Sequence, residues 1–197
     1  MQRISLILLL TLAFSPMVLP AVESGVEVNT IFQGASLPLF GDGGKNVIRY
    51  SGAGAGIRVI RGELIRGIID VGVLIPYSVN RKDYPATKFS PVNLSKTPFV
   101  VDTYVGIGTS FEFAPMVIFA SGGFHTATFL LQGNYVVSFG MALDAMCRVD
   151  LASFFSLQFG LRGAMDFGGI QNFSSGSGQF AGVALFGNVY AGFGFRF

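Results

Sequence analysis

The stretch FVVDTYVGIGTSFEF, from Phe99 to Phe113, has a hydrophobic pattern that repeats every two residues. Its odd positions hold only Phe, Val, Thr and Ile, whereas its even positions include Asp102, Tyr104, Glu112 and several small residues. Successive residues of a β-strand point to opposite faces, so this period indicates a strand with one apolar and one polar face.

Three further segments, 135–149, 153–167 and 183–197, repeat the alternation. Across the four segments no odd position is charged, whereas seven even positions are. The polar face mixes Gly and Ser with isolated charges and has few of the Lys and Glu residues that normally cover a water-exposed surface. Small residues and sparse charges suit a crowded, curved interior. We therefore interpret the apolar face as outward and the polar face as inward, which is typical of a transmembrane β-barrel.

Turn signals divide the chain into eight predicted strands, an even number that suits an antiparallel up-and-down barrel of the all-β class. They are placed near 26–36, 47–60, 64–77, 99–113, 116–126, 134–148, 153–167 and 182–197. Short connections at 61–63, 114–115 and 150–152 are predicted to be periplasmic turns. Mostly longer ones at 41–46, 79–98, 126–133 and 168–181 are predicted to be outer loops. The fifth strand has no clear alternation.

The composition excludes several classes of protein. The chain has 197 residues, about one domain, with 12% charged residues, 27 Gly, 21 Phe and a net charge of +2. This charge is too small for the basic footprint of a nucleic-acid-binding protein. A single cysteine, Cys147, excludes a disulfide framework and a cysteine-based zinc site.

The first residues have the pattern of a secretory signal peptide. Arg3 is followed by an apolar run from Ile4 to Phe14 and then by a segment rich in helix breakers. We expect residues 1–24 to be removed, with cleavage after Ala21 or Ser24, and residues 25–197 to form the barrel after export through the Sec pathway.

The sequence ends in YAGFGFRF, in which Tyr190, Gly192, Phe195 and Phe197 resemble the C-terminal recognition signal of bacterial outer-membrane proteins. The resemblance implies recognition by the barrel-assembly machinery and places these aromatic residues at the periplasmic membrane interface. Together with the strand count, it makes the chain similar to small eight-stranded barrels of the OmpX, OmpW and OmpA membrane-domain class. That class implies a bacterial outer membrane as the location, lipid and periplasmic chaperones as partners, and a monomer. We expect no peptidoglycan-binding domain after Phe197.

Assigning the even face to the interior predicts a charged set in the lumen. Its members are Arg58, Arg66, Asp70, Asp102, Glu112, Asp144, Arg148, Arg162, Asp166 and Arg196, with Glu27 as a further candidate from the first strand. An eight-stranded barrel is just wide enough for side chains to fill it, and buried charges need partners. We interpret the set as a salt-bridge network that fills the lumen; a conducting or substrate-guiding path is the alternative.

The predicted loop at 79–98 is basic, because Arg81, Lys82, Lys88 and Lys96 stand against Asp83 alone. Such a loop could contact lipid phosphates or an acidic surface or host partner. An ordinary solvated loop is the alternative.

Candidate catalytic residues are few. His125 is the only histidine, and we expect it at a strand end or in a loop, with no catalytic role. Some barrels of the class that this chain resembles are lipid A hydrolases with a histidine, a serine and an acid. Here GFHTATF contains no serine, and no acid is nearby in the sequence. No cofactor, metal or nucleotide motif is present.

The sequence therefore predicts a non-enzymatic outer-membrane barrel with a mostly filled lumen, which acts structurally and through its outer loops. One alternative is OmpW-like transport of ions or small apolar solutes, with Phe154 and Phe186 on the wall of the path. The other is a lipid A hydrolase centred on His125. For the fold, the alternatives are a helical inner-membrane protein and a secreted soluble β protein. The charge-free stretches 113–143 and 167–195 are long enough for helices but contain poor helix formers.

Overall fold

The computed structural model describes residues 24–41, 44–62, 65–83, 86–93, 95–173, 176–179 and 182–197. They form ten β-strands. These are β1 (Ser24–Gly41), β2 (Gly44–Gly62), β3 (Ile65–Lys82), β4 (Ser90–Pro91), β5 (Phe99–Phe113), β6 (Met116–Leu131), β7 (Asn134–Asp150), β8 (Phe155–Phe173), β9 (Gly176–Gln179) and β10 (Ala184–Arg196).

The eight long strands form a closed antiparallel barrel. Each pairs with the next long strand in the chain, and β10 pairs with both β8 and β1. The closing β1–β10 ladder runs from Gly25 opposite Arg196 to Ser36 opposite Leu185. The short strands β4 and β9 extend β3 and β8. The predicted eight-stranded up-and-down barrel is confirmed. Within the described ranges, no helix is long and apolar enough to cross a membrane.

Several strands are longer than predicted at one end of the barrel. The β1–β2 ladder continues to Gly41 opposite Gly44, and the β6–β7 ladder continues to Leu131 opposite Asn134. The outer loops predicted at 41–46, 126–133 and 168–181 are therefore wrong, because most of their residues continue the ladders, in the last case as the end of β8 and as β9. At the other end, β1 begins at Ser24, and the rest of the predicted signal peptide lies outside the described residues.

The start of β1 and the last residue identify one end of the barrel. The Phe197 backbone N–H donates to the Ser24 carbonyl over 3.1 Å, so both residues lie at the end with the short connections at 63–64, 114–115 and 151–154. Short turns face the periplasm in outer-membrane barrels, which makes the opposite end the outer one. The long outer connections between barrel strands are 83–98, which includes β4, and 174–183, which includes β9.

Two β-bulges change the side-chain alternation near the outer end. In β3 the register shifts so that Tyr77 has no opposite residue in β2, and in β8 Phe167 has none in β7. Both aromatic side chains are exposed on the exterior. Beyond the bulges the inward parity changes from even to odd, so that Val79 and Gln171 face the interior.

The barrel is apolar outside and mixed inside. Large apolar side chains such as Ile57, Ile107, Leu143, Leu161 and Val189 are more than half exposed on the wall. The interior contains buried arginines and carboxylates together with apolar side chains. Since water would not stabilise such an exterior, the wall faces lipid.

The fifth barrel strand, β6, shows why its sequence pattern was unclear. Its odd residues point inward, among them Phe119, His125 and Phe129, and its even residues point outward. Both faces carry apolar side chains, so hydrophobicity alone does not distinguish them. The expected strand-end or loop position of His125 is wrong, because β6 continues six residues beyond it and the side chain is fully buried.

Candidate functional site in the barrel lumen

The lumen is divided into three layers from the outer to the periplasmic end. The outer apolar layer consists of Leu37, Ile48, Leu74, Val100, Phe129 and Val136, all essentially without solvent exposure. The charged waist, nearer the middle of the same strands, consists of Arg58, Asp70, Asp102, His125, Asp144, Arg162, Asp166 and Tyr190. The periplasmic layer consists of Glu27, Arg66, Phe119, Arg148 and Ser156.

Arg58 connects three strands across the waist. Its guanidinium donates to Asp70 Oδ2 over 2.8 Å, to Asp144 Oδ1 over 3.1 Å and to Tyr190 Oη over 2.7 Å. The guanidinium carbon also lies 4.3 Å from the centre of the Tyr190 ring. Because these partners belong to β3, β7 and β10, the Arg58 side chain spans the lumen rather than lining one wall.

Arg162 makes the second set of cross-lumen contacts. It donates to Asp144 Oδ1 over 3.2 Å, to Asp102 Oδ1 over 3.3 Å and to Asp70. Asp70 and Asp144 therefore each accept from both arginines. Sharing two carboxylates between two cations gives a compact, desolvated network with directional bonds.

His125 is held between two carboxylates. Its Nδ1 lies 2.8 Å from Asp166 Oδ1, and its Nε2 lies 3.0 Å from Asp102 Oδ2. Ionised carboxylates only accept hydrogen bonds, so with Asp102 and Asp166 both ionised the two ring nitrogens donate and the ring is an imidazolium. With His125 charged, the waist and the periplasmic layer together contain five cations and five anions.

Hydrogen bonds connect the waist to the outer apolar layer through Tyr50 and Gln33. The Tyr50 hydroxyl donates to Gln33 Oε1 over 2.6 Å, and Gln33 Nε2 donates to Asp102 Oδ2 over 2.5 Å. The Tyr50 ring is stacked on Phe129, with centroids 5.1 Å apart and planes at 8°. Tyr50 therefore has its ring in the apolar layer and its hydroxyl in the polar network.

The periplasmic layer leaves little open space. The guanidinium carbons of Arg66 and Arg148 lie 4.9 and 5.2 Å from the centre of the Phe119 ring. A cavity of about 10 Å³, lined by Glu27, Arg66 and Arg148 among others, has room for about one water molecule.

The structure places most, but not all, of the predicted lumen charges inside. Arg58, Arg66, Asp70, Asp102, Asp144, Arg148, Arg162 and Asp166 are buried. Glu112 and Arg196 instead lie at the periplasmic rim, with side chains 68% and 20% exposed. Their inward parity does not bury them because they stand at strand ends, where water reaches the lumen. Glu112 still pairs with Arg66 at 3.4 Å, and Arg196 with Asp150 at 3.1 Å.

Two aromatic residues differ from their predicted positions. Phe154, expected on the lumen wall, lies in the β7–β8 turn and is 62% exposed. Phe186, expected on the same wall, does lie inside, with its ring 4.8 Å from that of His125. Tyr190, expected at the membrane interface, is buried in the waist, because the even parity of β10 points inward. Phe195 and Phe197 are exposed at the periplasmic end.

Sequence reasoning missed the acids around His125. Asp102 and Asp166 are distant in sequence, and Ser138 donates to Asp166 Oδ2 over 2.5 Å. The alternation in β5, β7 and β8 indicates that their even-numbered residues, including Asp102 and Asp166, face the lumen. The sequence of β6 does not show which of its faces points inward, so it does not place His125 beside them. The two carboxylates bind opposite sides of the ring and do not converge on one point. In the part of the chain that the structure describes, no group of three His, Cys, Asp or Glu residues could hold a metal ion.

The basic loop folds over the outer end of the barrel. β4 pairs with β3, the Val92 N–H donates to the Val79 carbonyl over 2.9 Å, and Val92 packs against the buried core. Gln132 Nε2 in the β6–β7 turn donates to the Asn93 carbonyl over 2.7 Å. Among the predicted basic residues, Lys88 and Lys96 are exposed, Lys82 is half-buried and Arg81 pairs with Asp83 at 2.5 Å.

The fold matches solved outer-membrane barrels, although no family model and no curated protein matches the sequence. OprG from Pseudomonas aeruginosa superposes with a TM-score of 0.62 at 12% identity, over 90% of this chain and 96% of that one. Neisserial surface protein A gives 0.58 at 14% identity, over 88% and 97%. AlkL in lipid bilayers gives 0.53 at 12% identity, over 89% of each chain.

These likenesses establish the fold of small bacterial outer-membrane barrels, the class that the sequence resembles. Combined with a wall that is apolar around its circumference, this fold makes the chain an integral barrel of a bacterial outer membrane.

Proposed function

We propose that this barrel is closed to ions and solutes and acts as a structural protein of the outer membrane that presents its outer loops for surface interaction. The observation that carries the proposal is the charged waist. Arg58 and Arg162 bond to carboxylates on three strands, so a permeating ion would have to separate buried ion pairs. Leaving one partner of a buried ion pair without the other typically costs about 3–5 kcal/mol.

Two further features support a closed lumen. The outer apolar layer would have to be hydrated before an ion could enter from outside. The loop at 83–98 packs Val92 against this layer and is tied to the β6–β7 turn through Asn93 and Gln132. The loops are then the parts of the molecule available to partners.

The geometry of His125 disfavours the alternative of a lipid A hydrolase. Both ring nitrogens are engaged by carboxylates, the side chain has no solvent exposure, and the Ser138 hydroxyl donates to Asp166 rather than facing the ring. A catalytic base needs to reach the substrate proton. We therefore assign His125 to the waist and propose that the chain is not an enzyme.

The periplasmic end supports a role for the C-terminal residues during assembly. Phe195 and Phe197 are exposed, and Phe193, Phe195 and Phe155 form an aromatic cluster with ring centroids 5.7–6.3 Å apart. We keep Gly192, Phe195 and Phe197 in the proposed assembly signal, with Tyr190 acting in the lumen.

The test is the single-channel conductance of the refolded chain in a planar bilayer. We expect insertion without discrete openings for the wild type. Arg162→Ala should introduce openings, because it removes one of the two cross-lumen cations, while Arg81→Ala in the outer loop should remain silent. Stable openings in the wild type would contradict the closed lumen and favour transport.

A further inference from the structure

The outer end of the barrel has a one-sided charge distribution. Among the described residues, its charges are Lys45, Arg49, Arg81, Lys82, Asp83, Lys88 and Lys96, which lie on β2, β3 and the following loop. The stretches 113–143 and 167–195, which contain the outer ends of β6, β7, β8 and β10, have no Asp, Glu, Lys or Arg, and His125 lies deeper in the lumen. The outer rim is therefore basic on one side only.

Two of these cations point away from the lumen. Ile48 and Tyr50 face inward on β2, so Arg49 between them faces outward and is exposed. On β3, Val79 faces inward beyond the bulge, so the even-numbered residues that follow it, including Lys82, face outward. The register sets Arg49 opposite Asn80 and Val47 opposite Lys82, so the two cations are diagonal neighbours on the exterior wall.

Both cations share one aromatic ring. The Arg49 guanidinium carbon lies 4.2 Å from the centre of the Phe89 ring, and Lys82 Nζ lies 5.5 Å from it. Phe89 directly precedes β4, whose Ser90 and Pro91 pair with Arg81 and Asn80 of β3. The ring is thus fixed by backbone pairing, and it holds two positive charges close together before any ligand binds.

Neither cation is neutralised by a carboxylate within the described part of the chain. The acid nearest in sequence, Asp83, accepts from Arg81 Nε. Two adjacent cations on an aromatic ring form an anion-binding surface, and a phosphate group has enough acceptor oxygens to bind both.

The position of the pair identifies the source of the anion. On the periplasmic side of Arg49 and Lys82, the apolar wall of β3 ends at Tyr77. The outward side chains of this part of β3 are Val71, Val73, Ile75 and Tyr77. Tyrosine is typical of the membrane–water interface. Cations just beyond such a residue and directed away from the lumen lie at the level of the lipid headgroups.

We propose that Arg49, Lys82 and Phe89 form a binding site for the phosphate headgroup of an anionic lipid in the outer leaflet. This proposal names a partner for the outer loop but does not depend on the lumen being closed. Binding would attach the loop at 83–98 to the membrane surface on the basic side of the rim. Lys88 and Lys96 belong to this loop, but among the described residues the cations over the Phe89 ring are Arg49 and Lys82.

The test is native mass spectrometry of the refolded barrel in detergent, titrated separately with phosphatidylglycerol and phosphatidylcholine. We expect the wild type to prefer phosphatidylglycerol. Arg49→Gln/Lys82→Gln should lower the apparent affinity for phosphatidylglycerol roughly thirtyfold, since each cation near a headgroup contributes roughly a fivefold change. Lys88→Gln/Lys96→Gln removes the same amount of charge from the adjacent loop at 83–98 and should change the affinity less than about threefold.

The controls distinguish the lipid site from the alternatives. Equal losses in the two double variants would overturn the site, because charge alone would then explain binding. No preference for phosphatidylglycerol in the wild type would overturn it as well. Competition by inositol hexakisphosphate that depends on Arg49 and Lys82, without a lipid preference, would assign the surface to a soluble polyanion. Phe89→Leu keeps all charges and should weaken the preference, which provides a second test if the double variant does not fold.

Discussion

In the charged waist, Arg58 and Arg162 each bond to groups on three different strands, whereas in the outer apolar layer Leu74 and Val100 are held by packing alone. Both layers fill the lumen, but they are stabilised by different interactions. Bonds in the waist are directional and fail when one partner is removed, because the remaining charge stays buried. Packing in the apolar layer depends on volume and tolerates exchanges that conserve it.

The difference suggests separate contributions to one closed barrel. The waist fixes which strands face each other across the lumen, since Arg58 and Arg162 reach only properly placed carboxylates. The apolar layer keeps water away from the outer side of the waist, which strengthens its electrostatic interactions.

The largest effect is expected for Arg58→Ala in the waist. The change leaves Asp70, Asp144 and the Tyr190 hydroxyl without a cation that all three contact. We expect a loss of about 3–5 kcal/mol in the free energy of unfolding. The free energy of unfolding is measured by urea titration of the barrel in lipid vesicles. The folded fraction at each urea concentration is read from the different mobilities of folded and unfolded bands in SDS gels.

Arg81→Ala provides the matched control for Arg58→Ala. Arg81 also pairs with an aspartate, but its side chain is 30% exposed and that of Asp83 is 57% exposed. An exposed pair contributes about 0–1 kcal/mol, so this variant should unfold nearly as the wild type does. If the two variants lose similar stability, the waist is hydrated, and its ion pairs are then no stronger than exposed ones.

The same comparison explains what could be predicted from the sequence. The waist arginines and aspartates were found because charges at even positions contrast with apolar residues at odd positions. The apolar layer was not found, since around Leu74 both faces of β3 are apolar and only the parity assigns Leu74 to the lumen and Ile75 to lipid. Alternation of polar and apolar residues identifies the inward face of a strand only where the two faces differ in polarity.

Other features depended on information outside the local pattern. The bulges that leave Tyr77 and Phe167 without opposite residues arise from pairing with β2 and β7. The contacts of His125 with Asp102 and Asp166 require the register of β5, β6 and β8. The cations on Phe89 depend on β4, a two-residue strand inside a segment that was predicted to be a loop.

A smaller effect is expected in the apolar layer, where Leu74→Ala and Leu74→Met form a pair. Leu74 has no exposure, so truncation to alanine should leave a cavity and cost about 2–5 kcal/mol. Methionine conserves most of the volume and should cost less than about 1.5 kcal/mol. The same urea titration measures both. Similar losses for the two variants would show that the exact shape of Leu74, and not its volume, holds the layer together.

A smaller loss than for Leu74→Ala is expected for Tyr50, the residue that belongs to both layers. Tyr50→Phe keeps the ring stacked on Phe129 but removes the hydroxyl that donates to Gln33 Oε1, which leaves a buried acceptor without this donor. We expect a loss of about 1–3 kcal/mol, toward the lower end because Gln33 keeps its bond to Asp102. In the Arg58→Ala background the cost of Tyr50→Phe should change by at least about 0.5 kcal/mol if Tyr50 is coupled to the waist. Strict additivity in this double-mutant cycle would instead assign Tyr50 to the apolar layer alone, and the two layers would then be energetically independent.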